Sequence, residues 1–247
     1  MAGKIYRAKI ESVRCIHGDT YILRFRPSVE FKYQPGQFLS LQVPNRDRPT
    51  ELLWRAYSFS LPQELARAQG YELCIKKMNG GHAGAYVEKL NAGDWITIRA
   101  SYGEFVLHSA PERSVCFIGT GTGAAPLRAM ALSEQFRDQE PATALAILGF
   151  RTLDELPFAG DFERAGVVTT YALSRETRAL EYPFFKGRVT DVLLTVKESF
   201  PWQQTDFYLC GNSEMIYEVI FFLKSVHGVS ERAIFAEAFE PAQKQAA

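Results

Sequence analysis

The 247-residue sequence has no excess of either charge, no closely spaced cysteines and no long apolar run. Lysine plus arginine equals aspartate plus glutamate at 28 each, so no bulk field points to nucleic acid or to an anionic membrane. The four cysteines, Cys15, Cys74, Cys116 and Cys210, lie far apart and form no Cys-x-x-Cys pair. That speaks against a zinc site or an iron–sulfur cluster, and scattered single cysteines suit a reducing cytoplasm. No stretch approaches the roughly 18–20 apolar residues of a membrane span. The first residues, MAGKIYRAKI, lack the apolar segment and small-residue cleavage site of a signal peptide. His17, His82, His108 and His227 are dispersed, with no carboxylate spacing that would make a triad or a metal site. The expectation is a cytoplasmic, metal-free chain with length for one large domain or two small ones.

What is present is organised in two different periods. Up to residue 110 the chain reads as short alternating stretches, among them KIYRAKIESVRC, TYILRFRP, FLSLQVP, AYSFSL, YELCIKKM and DWITIRA. Turn signals such as His17-Gly18-Asp19 and Pro35-Gly36 separate them, and one short helical candidate, AGAYVEKLN, precedes the last. Six strands at close spacing with few helices predict a small six-stranded antiparallel β-barrel. From residue 111 onwards the pattern changes. SVCFIG, ALAILGF, VVTTYAL, DFYLCG and AIFAEAF are compact apolar strands. Helices are predicted between them at APLRAMALSEQFRDQ, Leu153–Arg164, VTDVLLTVKES and SEMIYEVIFFLKSVHG. Alternating strands and helices predict an α/β domain with a doubly wound parallel sheet covered on both faces. The seam is placed at the polar, proline-containing stretch His108–Arg113, which divides the chain into residues 1–110 and 111–247.

The second half opens on a glycine-rich turn, Gly119-Thr120-Gly121-Thr122-Gly123, after an apolar strand and before a helix. Glycines there let the backbone turn tightly and approach a pyrophosphate, and the following helix offers unpaired N–H groups and a partial positive charge. A lone Gly-x-Gly could equally be a tight turn that binds nothing. Three glycines and two threonines in this context favour a phosphate loop. A unit that binds NAD usually carries an acidic residue at the end of the next strand to hold the ribose 2′-OH. Here ALAILGF ends in Arg151, and the strand after it ends in Ser174-Arg175-Glu176. Two arginines and a serine on the ligand side of the sheet suit the 2′-phosphate of NADP(H), the alternative being ordinary solvated surface arginines.

In the first half, Arg55-Ala56-Tyr57-Ser58 puts a guanidinium and an aromatic ring on one strand face and a hydroxyl on the other. A cation beside a ring suits a flavin nucleotide, although such a pattern is also an ordinary half-buried strand. The charged loop Arg46-Asp47-Arg48 ahead of it reads either as a solvated turn or as a basic rim for an acidic electron carrier. Cys210 at a strand end is by default a small buried apolar group.

The order of motifs resembles the ferredoxin–NADP(+) reductase superfamily of flavoproteins across nearly the whole chain. It runs through Pro35-Gly36-Gln37-Phe38, Arg55-x-Tyr57-Ser58, Gly80-Gly81, Gly103-Glu104-Phe105, Gly119 to Pro126 and Gly149-Phe150-Arg151. It continues through Ser174-Arg175-Glu176, Cys210-Gly211-Asn212-Ser213-Glu214-Met215 and Phe235-Ala236-Glu237-Ala238-Phe239. The resemblance implies a barrel that holds FAD through Arg55, Ala56, Tyr57 and Ser58, through Gly81, His82, Ala83 and Gly84 of a second flavin loop, and through Phe239. It implies an α/β half that holds NADP(H) through Gly119, Thr120, Gly121, Thr122, Gly123, Arg151, Ser174, Arg175, Cys210, Gly211 and Met215. Ser58, Cys210 and Glu237 would stand at the reacting centre, with Cys210 as a positioning group. Three positions depart from the superfamily's usual pattern: Leu61 where a Ser or Asn is usual, Gly84 where a Ser or Thr is usual, and EPAQKQAA after Phe239 where the chain usually stops on an aromatic.

The implied activity is hydride transfer between NADPH and FAD, with single electrons passed to or from ferredoxin or flavodoxin. Two rivals stand beside it. One is an NAD(P)H-dependent reductase component of a multicomponent oxygenase, whose iron–sulfur centre would sit elsewhere because no Cys-x4-Cys-x2-Cys spacing occurs here. The other is a non-catalytic nucleotide-sensing module of the same fold.

Overall fold

The computed structural model describes residues 4–108 and 112–239. Six strands, β1 (Lys4–Cys15), β2 (Thr20–Pro27), β3 (Phe38–Pro44), β4 (Leu52–Ser58), β5 (Tyr71–Lys76) and β6 (Trp95–Tyr102), form an antiparallel sheet ordered β4-β3-β6-β1-β2-β5. The sheet curls so that its two edges approach each other, and Phe59, just past β4, makes an isolated antiparallel bridge to Leu73 of β5. The expected antiparallel barrel is present. Period-2 alternation builds its interior: Leu39, Leu41 and Val43 of β3 are fully buried while the residues between them are only partly so. Two helices are inserted, α1 (Gln63–Gln69) and α2 (His82–Val87). The first has no counterpart in the sequence reading. It is a single amphipathic turn or two, too short for its period to stand out.

The second sheet is parallel and six-stranded, ordered β10-β9-β8-β7-β11-β12. Its strands are β7 (Ser114–Thr120), β8 (Ala144–Phe150), β9 (Val168–Leu173), β10 (Phe184–Lys186), β11 (Thr205–Gly211) and β12 (Ile234–Ala238). Helices α3 (Ala124–Ala131), α4 (Glu134–Gln139), α5 (Asp161–Arg164), α6 (Val189–Leu193) and α7 (Ser213–Ser225) cover it. This is the doubly wound arrangement expected from the alternating pattern. The order reverses at β7, so the crevice at the carboxyl ends of β7 and β11 is the topological switch point where such sheets take ligands.

Three predicted helices are shorter than their apolar patterns. The stretch 125–139 is two helices, because Ser133 caps α4 by accepting from the Phe136 N–H at 3.1 Å and turns the chain there. Leu153–Arg164 is a 3₁₀ turn over Leu153–Glu155 and then the single turn of α5, with Pro157 and Gly160 between them. VTDVLLTVKES is helical only through Leu193. The short edge strand β10 was not legible from sequence. Residues 109–111 of the expected seam and the tail 240–247 lie outside the described residues.

The two halves share an extensive contact. Along β5, Tyr71, Leu73 and Ile75 point into the barrel core, whereas Cys74 belongs to the cluster built by Phe105, Phe117, Leu127, Met130 and Tyr208 of the other side. That is why YELCIK is buried continuously, without the alternation of a half-exposed strand. Replacing Ser133 by Ala should lower stability by about 1 kcal/mol, the usual cost of losing an N-cap. A urea midpoint unchanged from wild type would show that the cap is not what separates α3 from α4.

Candidate functional site at the switch point

The glycine loop lies between the end of β7 and α3, with a 3₁₀ turn over Gly121–Gly123. Its glycines do two different things. A Cβ on Gly123 would overlap the Cys210 carbonyl oxygen, so this residue lets α3 start directly against the turn after β11. Gly121 has φ +56° and open space where a Cβ would be, so it shapes the exposed rim of the loop. Thr120 Oγ1 accepts from the Asn212 N–H at 3.1 Å, which ties the loop to the Cys210-Gly211 turn. Asn212 in turn caps α7 by accepting from the Glu214 and Met215 N–H groups. The loop, the cap and Met215, which is buried, are therefore one unit.

Beside that unit, the ends of β8 and β9 carry the predicted phosphate residues. The Arg175 N–H donates to the Arg151 carbonyl at 2.8 Å, so the two arginines leave the sheet side by side. Ser174 Oγ donates to the Phe150 carbonyl at 3.3 Å. Ser174 and Arg175 are exposed and Arg151 is half-exposed, at 4.0 Å from Glu155. Glu176, next in sequence to Arg175, is buried and turned away. It accepts from the N–H groups of Leu153, Thr177 and Arg178 and from the Arg178 guanidinium. Those donors, the Arg178 side chain first among them, hold its carboxyl well below the usual range. A carboxylate so engaged is not free for a ribose hydroxyl, and the cations beside it remain available to an anion.

On the barrel, Arg55 is half-buried, and among the described residues no carboxylate pairs with it; its guanidinium donates only to the neighbouring Trp54 carbonyl at 3.0 Å. A partly desolvated cation without a counter-ion is a ready partner for a phosphate. Tyr57 is half-buried against the barrel core, and burial pushes its phenol up to about 12. Ala56 between them is exposed. In the segment expected to be a second flavin loop, Gly81 precedes α2, and Ala83 and Gly84 are buried. A Cβ on Gly84 would stand 2.5 Å from Lys77 Cα, so α2 lies directly on the β5 exit, and that explains glycine where a hydroxyl is usual. His82 Nδ1 accepts from the Arg46 N–H at 3.0 Å, and Arg48 pairs with Glu51 at 3.1 Å. The loop 46–48 is thus fastened to α2 and to its own neighbour. Leu61 is buried, and its carbonyl accepts from the Tyr33 hydroxyl at 2.7 Å.

The two sets of residues meet. Ser58 Oγ, at the end of β4, donates to Glu237 Oε1 on β12 at 3.4 Å. Glu237 is register partner to Cys210 across the β11–β12 pair. Three residues scattered over the sequence, all named as candidates for the reacting centre, therefore stand at one point between the halves. Cys210 is fully buried, and burial, with Glu237 beside it, drives its thiol well above the ordinary value. It stays a neutral thiol and is no nucleophile. Burial likewise raises the Glu237 carboxyl above its ordinary 4.5, only partly offset by the Ser58 hydrogen bond. Phe239 follows with its N–H donating to the Gly211 carbonyl at 2.8 Å and its ring against the α/β core.

Comparison with known proteins finds a family model in each half. Residues 7–107 match the oxidoreductase FAD-binding domain and residues 117–219 the oxidoreductase NAD-binding domain. The chain belongs to the ferredoxin–NADP(+) reductase superfamily. It is 27% identical over 244 residues to the reductase component of propane 2-monooxygenase from Mycolicibacterium smegmatis, covering 94% of this chain and 67% of that protein. It is 28% identical over 244 residues to the xylene/toluene monooxygenase electron transfer component of Pseudomonas putida, covering 94% of this chain and 65% of that protein. The chain thus spans about two thirds of the length of these relatives. A ferredoxin NADP+ reductase structure from Neisseria gonorrhoeae shares the fold, with TM-score 0.79, 21% identity and coverage of 95% and 98% of the two chains. No helix among the described residues of this superfamily member is long and apolar enough to cross a membrane.

Sequence reasoning missed contacts that hold the superfamily site together. Lys76 at the end of β5 lies 3.5 Å from Asp19 and 3.7 Å from Glu155, joining the barrel to the turn after β8 beside the glycine loop. Each is an ordinary charged residue in its own segment, and no local pattern marks the pairing. Glu237 yields a pH prediction. The folded chain keeps the Glu237 proton above the pH at which the unfolded chain releases it, so stability falls as pH rises through that window. Glu237→Gln removes the effect, and its stability relative to wild type should rise as pH increases above about 4.5. Urea unfolding at several pH values checks this, and a constant difference between the two proteins would refute it.

Proposed function

We propose that this chain is an NADPH-oxidising flavin reductase that passes electrons singly to a small carrier protein, ferredoxin or flavodoxin. The observation that carries the reading is the Ser58–Glu237 contact beside Cys210, because it brings the end of the barrel's flavin strand to the ligand end of the α/β sheet. FAD, when bound, supplies the capacity to take a hydride from a nicotinamide and to release electrons one at a time.

The residues present fit both dinucleotides. Arg55 offers an uncompensated cation to the FAD pyrophosphate, Tyr57 a ring face, and Ala56 and the turn Gly81–Gly84 close backbone approach, with His82 and Phe239 at the margins. On the other side Thr120 and the glycines 119, 121 and 123, together with Thr122, cradle the NADP(H) pyrophosphate. Arg151, Ser174 and Arg175 take the 2′-phosphate, while Gly211 and Met215 shape the nicotinamide end. Ser58 and Cys210 bound the reacting distance from opposite halves, and orientation of this kind is the protein's main contribution to rate. Burial, only partly offset by the Ser58 hydrogen bond, disfavours a full negative charge on Glu237 beside the path of a hydride.

A second reading is favoured by the relatives' roles, since those two are the reductase and electron-transfer components of monooxygenases. The acceptor would then be an oxygenase component, and NADH could replace NADPH. Steady-state rates with an artificial acceptor separate the coenzymes. Arg175→Ala should lower kcat/KM for NADPH by roughly 10- to 100-fold, as expected for a charge-assisted phosphate contact of about 1.5–3 kcal/mol, and leave NADH unchanged. Equal use of both coenzymes by wild type, with no selective loss in the variant, would remove the phosphate role.

A further inference from the structure

Arg128 is a buried cation outside the residues assigned to either dinucleotide. It sits on α3, every residue of which is buried, and is itself only 8% exposed. Its Nη1 donates to the Ser60 carbonyl at 2.7 Å and to Glu72 Oε1 at 2.9 Å, and its Nε donates to Asp161. The guanidinium also lies over the Phe158 ring at 4.5 Å. Glu72 in turn accepts from Ser60 Oγ at 2.8 Å and from Arg24 Nε at 2.7 Å, and Asp161 pairs with Arg164. A ladder of alternating charge, Arg24–Glu72–Arg128–Asp161–Arg164, therefore runs from barrel strands β2 and β5 into α3 and α5 of the other half.

An ion pair taken out of water gains little over apolar side chains of the same size, so stability alone is a weak reason for this ladder. What a guanidinium fork supplies is direction: planar donors at fixed angles, here on a carboxylate and a backbone carbonyl of one half and a carboxylate of the other. An apolar interface can slide, whereas this one has a register. The anchored carbonyl belongs to Ser60, two residues beyond Ser58. The same helix is preceded by its N-cap Gly123, pressed against the Cys210 carbonyl. Ser58 and Cys210 are thus joined on one side through Glu237 and on the other through Ser60, Arg128 and α3. The Pro35-Gly36 turn supports the second path, since a Cβ on Gly36 would overlap Met130 of α3.

We infer that Arg128 is a positioning residue that sets the register of the flavin strand against the Cys210 turn, and with it the hydride-transfer distance. This rests on the flavin reductase reading, which its test can separate.

The test uses flavin-loaded wild type, Arg128→Met, Arg128→Lys and the double variant Arg128→Met/Glu72→Gln, which removes one of the carboxylates orphaned by the single change. Calorimetry reads the coupling of the halves: wild type should unfold in one transition and Arg128→Met in two. Anaerobic single-turnover flavin reduction by saturating NADPH reads the distance. It should slow about 10- to 100-fold in Arg128→Met, the scale of an ångström-sized misplacement, with the half-saturating NADPH concentration within about threefold of wild type. Arg128→Lys keeps the charge without the fork and should restore the single transition but only part of the rate. The double variant should regain melting temperature and stay slow, and it carries the test if Arg128→Met does not fold. A folded variant lacking Arg128 that is reduced at the wild-type rate overturns the proposal, as does a double variant whose rate recovers with its melting temperature. A wild type reduced by neither NADPH nor NADH overturns the functional reading instead.

Discussion

Strand β5 buries both of its faces, and the arrangement of the site follows from that. One face, Tyr71, Leu73 and Ile75, completes the barrel core; the other places Cys74 and Glu72 against the helices of the α/β sheet. A barrel of this size with a solvated outer surface would need no partner. Because β5 needs cover on its second face, the barrel and the parallel sheet pack in one orientation. The carboxyl ends of β7 and β11 then open beside β4. The dry contact also makes its polar members matter, since a charge buried there without a partner would be costly.

From this seam comes the electrostatic character of the centre. Ser58, Cys210 and Glu237 meet where water is largely excluded, and burial biases both ionisable groups toward their neutral forms. At the outer ends of β8 and β9 the surroundings differ: Arg151 and Arg175 are exposed, while Glu176 is drawn inward by Arg178 and by backbone N–H groups. A buried centre beside an arginine-bearing rim suits a ligand whose reactive ring is apolar and whose far end is a phosphate.

Much of this could be read from residue order. The change from period 2 to strand–helix alternation marks the two architectures, because each period is imposed by the way its backbone buries a face. The glycine loop is legible because close backbone approach excludes any Cβ, as Gly123 against Cys210 shows. Other features leave no local trace. The apolar pattern runs on unbroken through Ser133, so one long helix was expected where a capped turn makes two. Glu72 and Arg128 are 56 positions apart, and Ser58 and Glu237 are 179 apart. Each looks like an unremarkable member of its own strand or helix until packing puts it beside the other.

On the proposed function, one chain holds two different dinucleotides, one on each half, at the same time. Titration calorimetry on flavin-stripped protein tests it, first with FAD and then with NADP(+) on the saturated complex. One FAD and one NADP(+) per chain are expected, neither displacing the other. Release of FAD by NADP(+), or a well-folded chain that takes up no flavin, would contradict it.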